Sequence, residues 1–89
     1  MKWSILLSRN ANEFLIRNKV NEEEIFNLVR KSLLKFSGEN VNVNIRKLDG
    51  VWAGFYRIRK GKLRVIVEFN FYNFSAFIEQ IDWRGSVYK

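Results

Sequence analysis

The chain has 89 residues, of which 47% are hydrophobic, and this length allows one modest core in a single domain spanning residues 1–89. It contains no cysteine and no histidine, which excludes disulfides, thiolate metal sites and histidine acid–base chemistry. A net charge of +7 favours a polyanionic or acidic partner. We expect no metal and no cofactor and, without a signal-peptide or membrane-span pattern, a cytoplasmic protein.

The N-terminal segment predicts a strand followed by a short helix. Apolar residues alternate with other side chains over residues 2–7, which is typical of a strand with one buried face. The next apolar spacing is helical and ends near residue 18. Asn10 or Asn12 is the predicted N-cap of this helix, because a short polar side chain can accept from a first-turn amide.

A second and longer helix is predicted from Asn21 to Gly38. Asn21 can accept from the amide of Glu24 while the Glu24 side chain reaches back, and acidic residues suit the positive end of the helix dipole. Gly38 is a common helix terminator. The apolar positions recur at helical spacing, namely Ile25, Leu28, Val29, Leu33 and Phe36.

The remainder of the chain reads as strands. Residues 41–46 alternate as a short extended segment, and Asp49-Gly50 marks a turn. Three longer strands are predicted at residues 55–60, 63–69 and 75–83. Short links make these three an antiparallel meander, so the expected fold is α+β: an N-terminal strand and a two-helix hairpin packed on one face of a mainly antiparallel twisted sheet.

Basic residues cluster on one face of the predicted sheet. Arg57 and Arg59 share a face by strand alternation, and Arg64 lies opposite an apolar set on the next strand. Fixed guanidinium groups of this kind suit a phosphate diester. The alternative is an ordinary solvated face, with arginines paired to Glu68, Glu79 and Asp82. Tyr88, Trp52 and Trp83 are candidates for stacking on single-stranded bases.

Two segments resemble the RelE/ParE toxins. The run Leu48-Asp49-Gly50 followed by Tyr56-Arg57-Ile58-Arg59-Lys60-Gly61-Lys62-Leu63-Arg64-Val65-Ile66 is similar to the central hairpin of that family. The ending Arg84-Gly85-Ser86-Val87-Tyr88-Lys89 is similar to its closing motif. The order of one strand, two helices and a sheet also agrees, so the likeness covers essentially the whole chain.

The resemblance implies the toxin of a type II toxin–antitoxin pair, with the RelE-like branch favoured. Such toxins enter the ribosome and cleave mRNA without metal, because the ribose 2′-hydroxyl attacks the adjacent phosphate. The implied catalytic residues are Arg57, Arg59, Arg64, Arg84 and Tyr88. In these roles Arg57 and Arg64 stabilise transition-state charge, Arg84 contacts phosphate or protonates the leaving group, and Tyr88 orients a base. Lys60, Lys62 and Lys89 are the implied RNA-binding residues.

One departure from the family pattern concerns the proton acceptor. RelE members have lysines where this chain has Arg57 and Arg59, and a side chain that stays protonated is a poor general base. The base for the 2′-hydroxyl is therefore unassigned. The candidates are Lys60, Lys62, Glu68 and Tyr88, or the site works by positioning and electrostatics.

The resemblance leaves the target of the protein open. A ParE-like inhibitor of DNA gyrase without nuclease activity, or an inactivated basic binding module, would use the same framework. Either toxin reading implies an acidic antitoxin that wraps the basic face. The toxin would be a monomer alone and a hetero-oligomer with its antitoxin, and the RNA-cleaving reading adds the ribosome and mRNA as partners but no membrane.

Overall fold

The computed structural model describes residues 2–83 of the chain. Five strands form one sheet in the order β1-β5-β4-β3-β2: β1 at Ser4–Leu7, β2 at Asn44–Lys47, β3 at Tyr56–Lys60, β4 at Leu63–Asn70 and β5 at Ser75–Trp83. Two helices precede β2: α1 at Arg9–Asn18 and α2 at Glu22–Phe36. Consecutive strands from β2 to β5 are antiparallel, and β1 lies parallel to β5 at one edge. This arrangement confirms the predicted α+β fold.

The core lies between the two helices and one face of the sheet. Ile25 and Val29 of α2 are fully buried, as are Ile58 and Val65 of the sheet. Helical spacing places the first two on one stripe, while strand alternation places the other two on one face. Because Ile58 and Val65 point into the core, the residues next to them on each strand point to the opposite face of the sheet. Within residues 2–83, no helix is long and apolar enough to cross a membrane.

The N-cap of α1 differs from the sequence prediction. Ser8 caps the helix, because its Oγ accepts from the amide of Ala11 at 3.0 Å, so the prediction of Asn10 or Asn12 was wrong. The same Oγ donates to the carbonyl oxygen of Glu79 at 2.6 Å. Ser8 thus joins the end of β1 and the start of α1 to β5, a long-range contact that starts the helix earlier than the local pattern indicates.

The cap of α2 is confirmed, with a different partner. Asn21 Oδ1 accepts from the amide of Glu23 at 2.8 Å, whereas the Glu24 amide donates to the backbone carbonyl of Asn21. Acidic residues fill the first turn, where the helix dipole favours them. The helix ends at Phe36, and Gly38 follows with φ of +96°, a conformation in which a side chain would be strained. The predicted termination at Gly38 is therefore confirmed.

Strand β2 begins later than predicted. The hydrogen-bonded strand runs over Asn44–Lys47 rather than residues 41–46, because its pairing is defined by β3. Val43 and Ile45 nevertheless face the core, as their alternation predicted. Asn44 and Arg46 therefore point to the opposite side of the sheet.

Strand β5 contains a bulge that reverses which face of the sheet the side chains of its second half point to. Ile66 pairs with Gln80 but Val67 pairs with Ile78, so Glu79 is an extra residue in β5. Such a bulge shifts the alternation by one position. Ile78 and Ile81 consequently both face the core although three positions separate them.

Candidate nucleic-acid interface

The sheet face opposite the helices carries the predicted arginines. Because Ile58 and Val65 point into the core, Arg57, Arg59 and Arg64 point to the other face. Arg59 lies directly opposite Arg64 in the β3–β4 register. The structure thus brings these three predicted site residues onto one surface, which we call the arginine face.

Strand β2 adds a fourth arginine that the sequence analysis did not single out. Arg46 lies directly opposite Arg57 in the β2–β3 register and is exposed. Asn44 lies opposite Arg59 on the same face. The signal for both was present, since Asn44 and Arg46 alternate with apolar Val43 and Ile45, but the pairing register that aligns them with β3 is a long-range property.

The arginine face contains two like-charged pairs directly across neighbouring strands. Arg46 faces Arg57, and Arg59 faces Arg64. Directly opposite residues have Cα atoms only about 4.5–5.5 Å apart, and like charges at such positions are destabilising. Arg64 also has Asp82 directly across from it on β5. The Arg46–Arg57 pair has no carboxylate in register with it in the described sheet, so fold stability does not explain that first pair. The two pairs concentrate positive potential where an anion can bind.

Arg57 is less accessible than the sequence pattern suggested. Its side chain is 7% exposed, whereas Arg59 and Arg64 are half-buried. Arg57 Nη2 donates to Asn44 Oδ1 at 2.8 Å, and its buried Nε has no hydrogen-bond partner within the described part of the chain. Arg57 therefore lies on the predicted face but beneath the surface that the other arginines form.

Within residues 2–83, neither Arg57 nor Arg59 forms an ion pair with a carboxylate, whereas Arg64 lies directly opposite Asp82 in the β4–β5 register. Among the described residues, ion pairs join Arg30 to Glu23 and Lys60 to Glu24, and neither pair involves Arg57 or Arg59. Within the same range no group of three or more acidic side chains could hold a metal ion. Arg57 and Arg59 can therefore offer hydrogen-bond donors and positive charge to an anion.

The hairpin lysines lie away from the arginine face. Lys60 Nζ is 4.0 Å from Glu24 Oε2 of α2, on the helix side of the sheet. Lys62 shares a shallow pocket there with Leu63 and Trp83. The structure therefore places Lys60 and Lys62 beside the helices, not next to Arg59 and Arg64.

The tryptophan candidates for base stacking contact other protein groups. The ring of Trp83 meets that of Phe14 edge-on at 5.2 Å, and Trp83 Nε1 donates to Asn18 Oδ1 at 3.3 Å. Trp52 packs edge-on against Phe55 at 5.4 Å. Both rings are thus engaged in packing. The remaining predicted site residues, Arg84, Tyr88 and Lys89, lie outside the described residues.

The fold is similar to those of several solved protein structures, although the sequence has no match. No family model matches the sequence, and no curated protein sequence matches it. Structural matches span nearly the whole chain at low identity. A metal-bound toxin from Helicobacter pylori gives a TM-score of 0.72 at 13% identity, covering 98% of this chain and 100% of that one.

Two further matches are toxin–antitoxin complexes. The RelE–RelB complex of Pyrococcus horikoshii gives a TM-score of 0.62 at 20% identity, covering 98% of this chain and 100% of the other. The RelBE2 complex of Mycobacterium tuberculosis gives 0.61 at 19% identity, covering 94% and 100%. The chain therefore has the fold of the RelE-type toxins.

Proposed function

We propose that this chain is the toxin of a type II toxin–antitoxin pair and an endoribonuclease acting on ribosome-bound mRNA in the cytoplasm. The single observation that carries the proposal is the Arg59–Arg64 pair, two guanidinium groups held directly opposite each other on the face away from the helices. Arginines fixed on neighbouring strands can bind the oxygens of one phosphate bidentately. The fold shared with RelE-type toxins supports the same conclusion.

The proposed reaction needs no metal. The ribose 2′-hydroxyl attacks the adjacent phosphorus, the bond to the 5′-oxygen of the next nucleotide breaks, and the products are a 2′,3′-cyclic phosphate and a 5′-hydroxyl. One proton leaves the 2′-oxygen and one reaches the 5′-oxygen. Arg59 and Arg64 stabilise the extra negative charge on the phosphate oxygens, and stabilisation of this kind is often the main source of rate acceleration in enzymes. Arg57 adds positive potential from beneath the surface.

The other proposed roles rest on the family resemblance. Arg84 contacts the phosphate or protonates the leaving group, and Tyr88 orients a base by stacking. As general base, Lys60 is disfavoured because it lies beside Glu24 on the helix side of the sheet. Glu68 is exposed, and strand alternation places it on the arginine face. It lies four positions from Arg64, about 13 Å along β4, so it is out of reach of a phosphate bound at Arg59 and Arg64. Tyr88 therefore remains the stronger candidate.

The proposed partner is an acidic antitoxin that covers the arginine face. Matched structures include complexes of this class from Pyrococcus horikoshii, Mycobacterium tuberculosis and Methanococcus jannaschii. Four arginines on one face, of which Arg57 and Arg59 are in no ion pair within residues 2–83, offer charge complementarity to acidic side chains. We expect a monomer alone, a hetero-oligomer with antitoxin, and complex formation that weakens as salt increases.

The test is expression without the antitoxin, followed by mapping of mRNA 5′ ends. We expect growth arrest with new ribosome-dependent ends. Arg64→Ala and Arg84→Ala should each relieve toxicity, because loss of one charge-stabilising donor costs about 100- to 1,000-fold in rate. Lys31→Ala, which removes an exposed charge from α2, is the matched control and should remain toxic.

Growth arrest without new mRNA ends would contradict the nuclease proposal. Inhibition of DNA supercoiling by the purified chain would then establish the gyrase reading. Absence of toxicity, together with no effect of substituting the whole arginine set, would favour an inactivated binding module.

A further inference from the structure

We propose that Arg46 and Asn44, positioned by Arg57, form a second phosphate subsite beside the Arg59–Arg64 pair. The arginine face would then hold two consecutive backbone phosphates of a single RNA strand. This inference rests on the proposed function and deepens it, since it assigns the residues that hold the RNA next to the reacting phosphate. Its starting point is the register that places Arg46 directly across from Arg57.

The subsite offers hydrogen-bond donors and positive charge, which are the groups that bind an anion. Asn44 Oδ1 is occupied by Arg57 Nη2, so the remaining polar group of Asn44 is its Nδ2 donor. Arg46 is exposed and contributes only donors. Acidic side chains are absent from β2, so none competes within the strand that carries both residues. A phosphate can accept from all these groups at once.

The unsatisfied burial of Arg57 is a second and independent observation. More than nine-tenths of this side chain is buried, it forms no ion pair with a carboxylate in residues 2–83, and its Nε has no hydrogen-bond partner there. Burial of a charge without an opposite charge is costly. An anion bound by Arg46 and Asn44 would lie close to Arg57 and compensate this charge, which gives a physical reason for a guanidinium at this position.

The spacing of the two sites fits a polymer of phosphates. Arg57 and Arg59 are two positions apart on β3, so the rows they define are separated by about 6.7 Å along the strand. Consecutive phosphates of an extended single strand are separated by a distance of the same order. The RNA backbone would therefore run along β3, with one phosphate at Arg59 and Arg64 and the neighbouring phosphate at Arg46 above Arg57. Asn44 lies in the row of Arg59 and contacts Arg57 diagonally, so its Nδ2 would lie between the two phosphates.

The experiment measures the salt dependence of RNA binding by the full chain. The probe is a fluorescein-labelled 2′-O-methyl oligouridylate, which carries backbone phosphates but lacks the 2′-hydroxyl nucleophile and is not cleaved. For single strands, the slope of log K against log salt falls by about 0.7 for each phosphate that the protein no longer neutralises. Arg46→Gln should lower the slope by this amount and weaken binding by about tenfold.

Matched variants separate a subsite from a general loss of charge. Lys47→Gln removes the same charge from the adjacent residue on the other side of β2 and should bind RNA like the original chain. Arg46→Lys should restore the salt slope but only part of the affinity, because lysine contacts phosphate as a point charge. Circular dichroism should show that all three variants fold, since both positions are exposed.

Two outcomes overturn the inference at different levels. Equal effects of Arg46→Gln and Lys47→Gln, with a lower slope in Arg59→Gln, would eliminate the second subsite and leave the proposed function intact. An unchanged slope in Arg46→Gln and Arg59→Gln alike would show that the arginine face does not bind RNA, and both proposals would fail.

Discussion

Arg57 donates a hydrogen bond from Nη2 to Asn44 Oδ1 at 2.8 Å, diagonally across β3 and β2. This contact is the one side-chain hydrogen bond that Arg57 makes within residues 2–83, and the arginine is 7% exposed. A neutral amide therefore holds a buried cation. The amide leaves the positive charge of Arg57 uncancelled, whereas a carboxylate at the same position would cancel it.

Substitution of Asn44 should separate stability from binding. Asn44→Ala removes the acceptor for a buried guanidinium, and we expect the free energy of unfolding to fall by about 1.5–3 kcal/mol in urea denaturation. Asn44→Asp supplies a charged acceptor, so unfolding should be at least as costly as in the original chain, while RNA binding falls. Asn40→Ala, at an exposed loop position, is the control for stability. Retained RNA binding in Asn44→Asp would argue against an anion site here.

Substitution of Arg59 should increase the stability of the protein and abolish its toxicity. Arg59→Gln removes the repulsion from Arg64 directly across the strand pair, so the free energy of unfolding should increase by about 0.2–1 kcal/mol. Toxicity on expression without antitoxin should be lost in the same variant. Lys31→Gln makes the same charge change at an exposed position of α2 and should leave both properties unchanged. Lower stability in Arg59→Gln would show that the pair is not under electrostatic strain.

The Ser8 hydroxyl should contribute to stability through two contacts at once. Ser8→Ala removes the acceptor for the Ala11 amide and the donor to the Glu79 carbonyl. We expect a loss of about 2 kcal/mol in the free energy of unfolding, at the upper end for N-caps. Ser8→Thr keeps the hydroxyl and should lose much less. Equal losses in the two variants would assign the effect to side-chain packing and not to hydrogen bonding.

Local patterns predicted most of this fold. The bounds of β5 and the cap at Asn21 follow from alternation and helix-start chemistry, which are properties of neighbouring residues. Ser8 was missed as a cap because its role depends on β5, far along the chain. The bulge at Glu79 was missed for the same reason, since it is defined by pairing with β4.

The candidate site was only partly readable from the sequence. Alternation placed Arg57, Arg59 and Arg64 on one face, because side-chain direction in a strand is a local property. The participation of Arg46 required the register between β2 and β3, and the burial of Arg57 required its three-dimensional surroundings. Strand register and side-chain burial depend on contacts between residues far apart in the chain, so the local sequence pattern does not predict them.

Lys19 offers a test of backbone strain at the end of α1. It adopts φ of 53° and ψ of 41°, the left-handed region, where a residue with a Cβ is disfavoured by about 1–2 kcal/mol. Lys19→Gly should therefore raise the free energy of unfolding by about 1 kcal/mol after allowance for the greater entropy of glycine in the unfolded chain. Lys19→Ala removes the same charge but keeps the Cβ, so it should give no such gain. If urea denaturation shows equal gains in both variants, loss of positive charge and not relief of strain accounts for the stabilisation, and the left-handed cap at Lys19 carries no measurable cost.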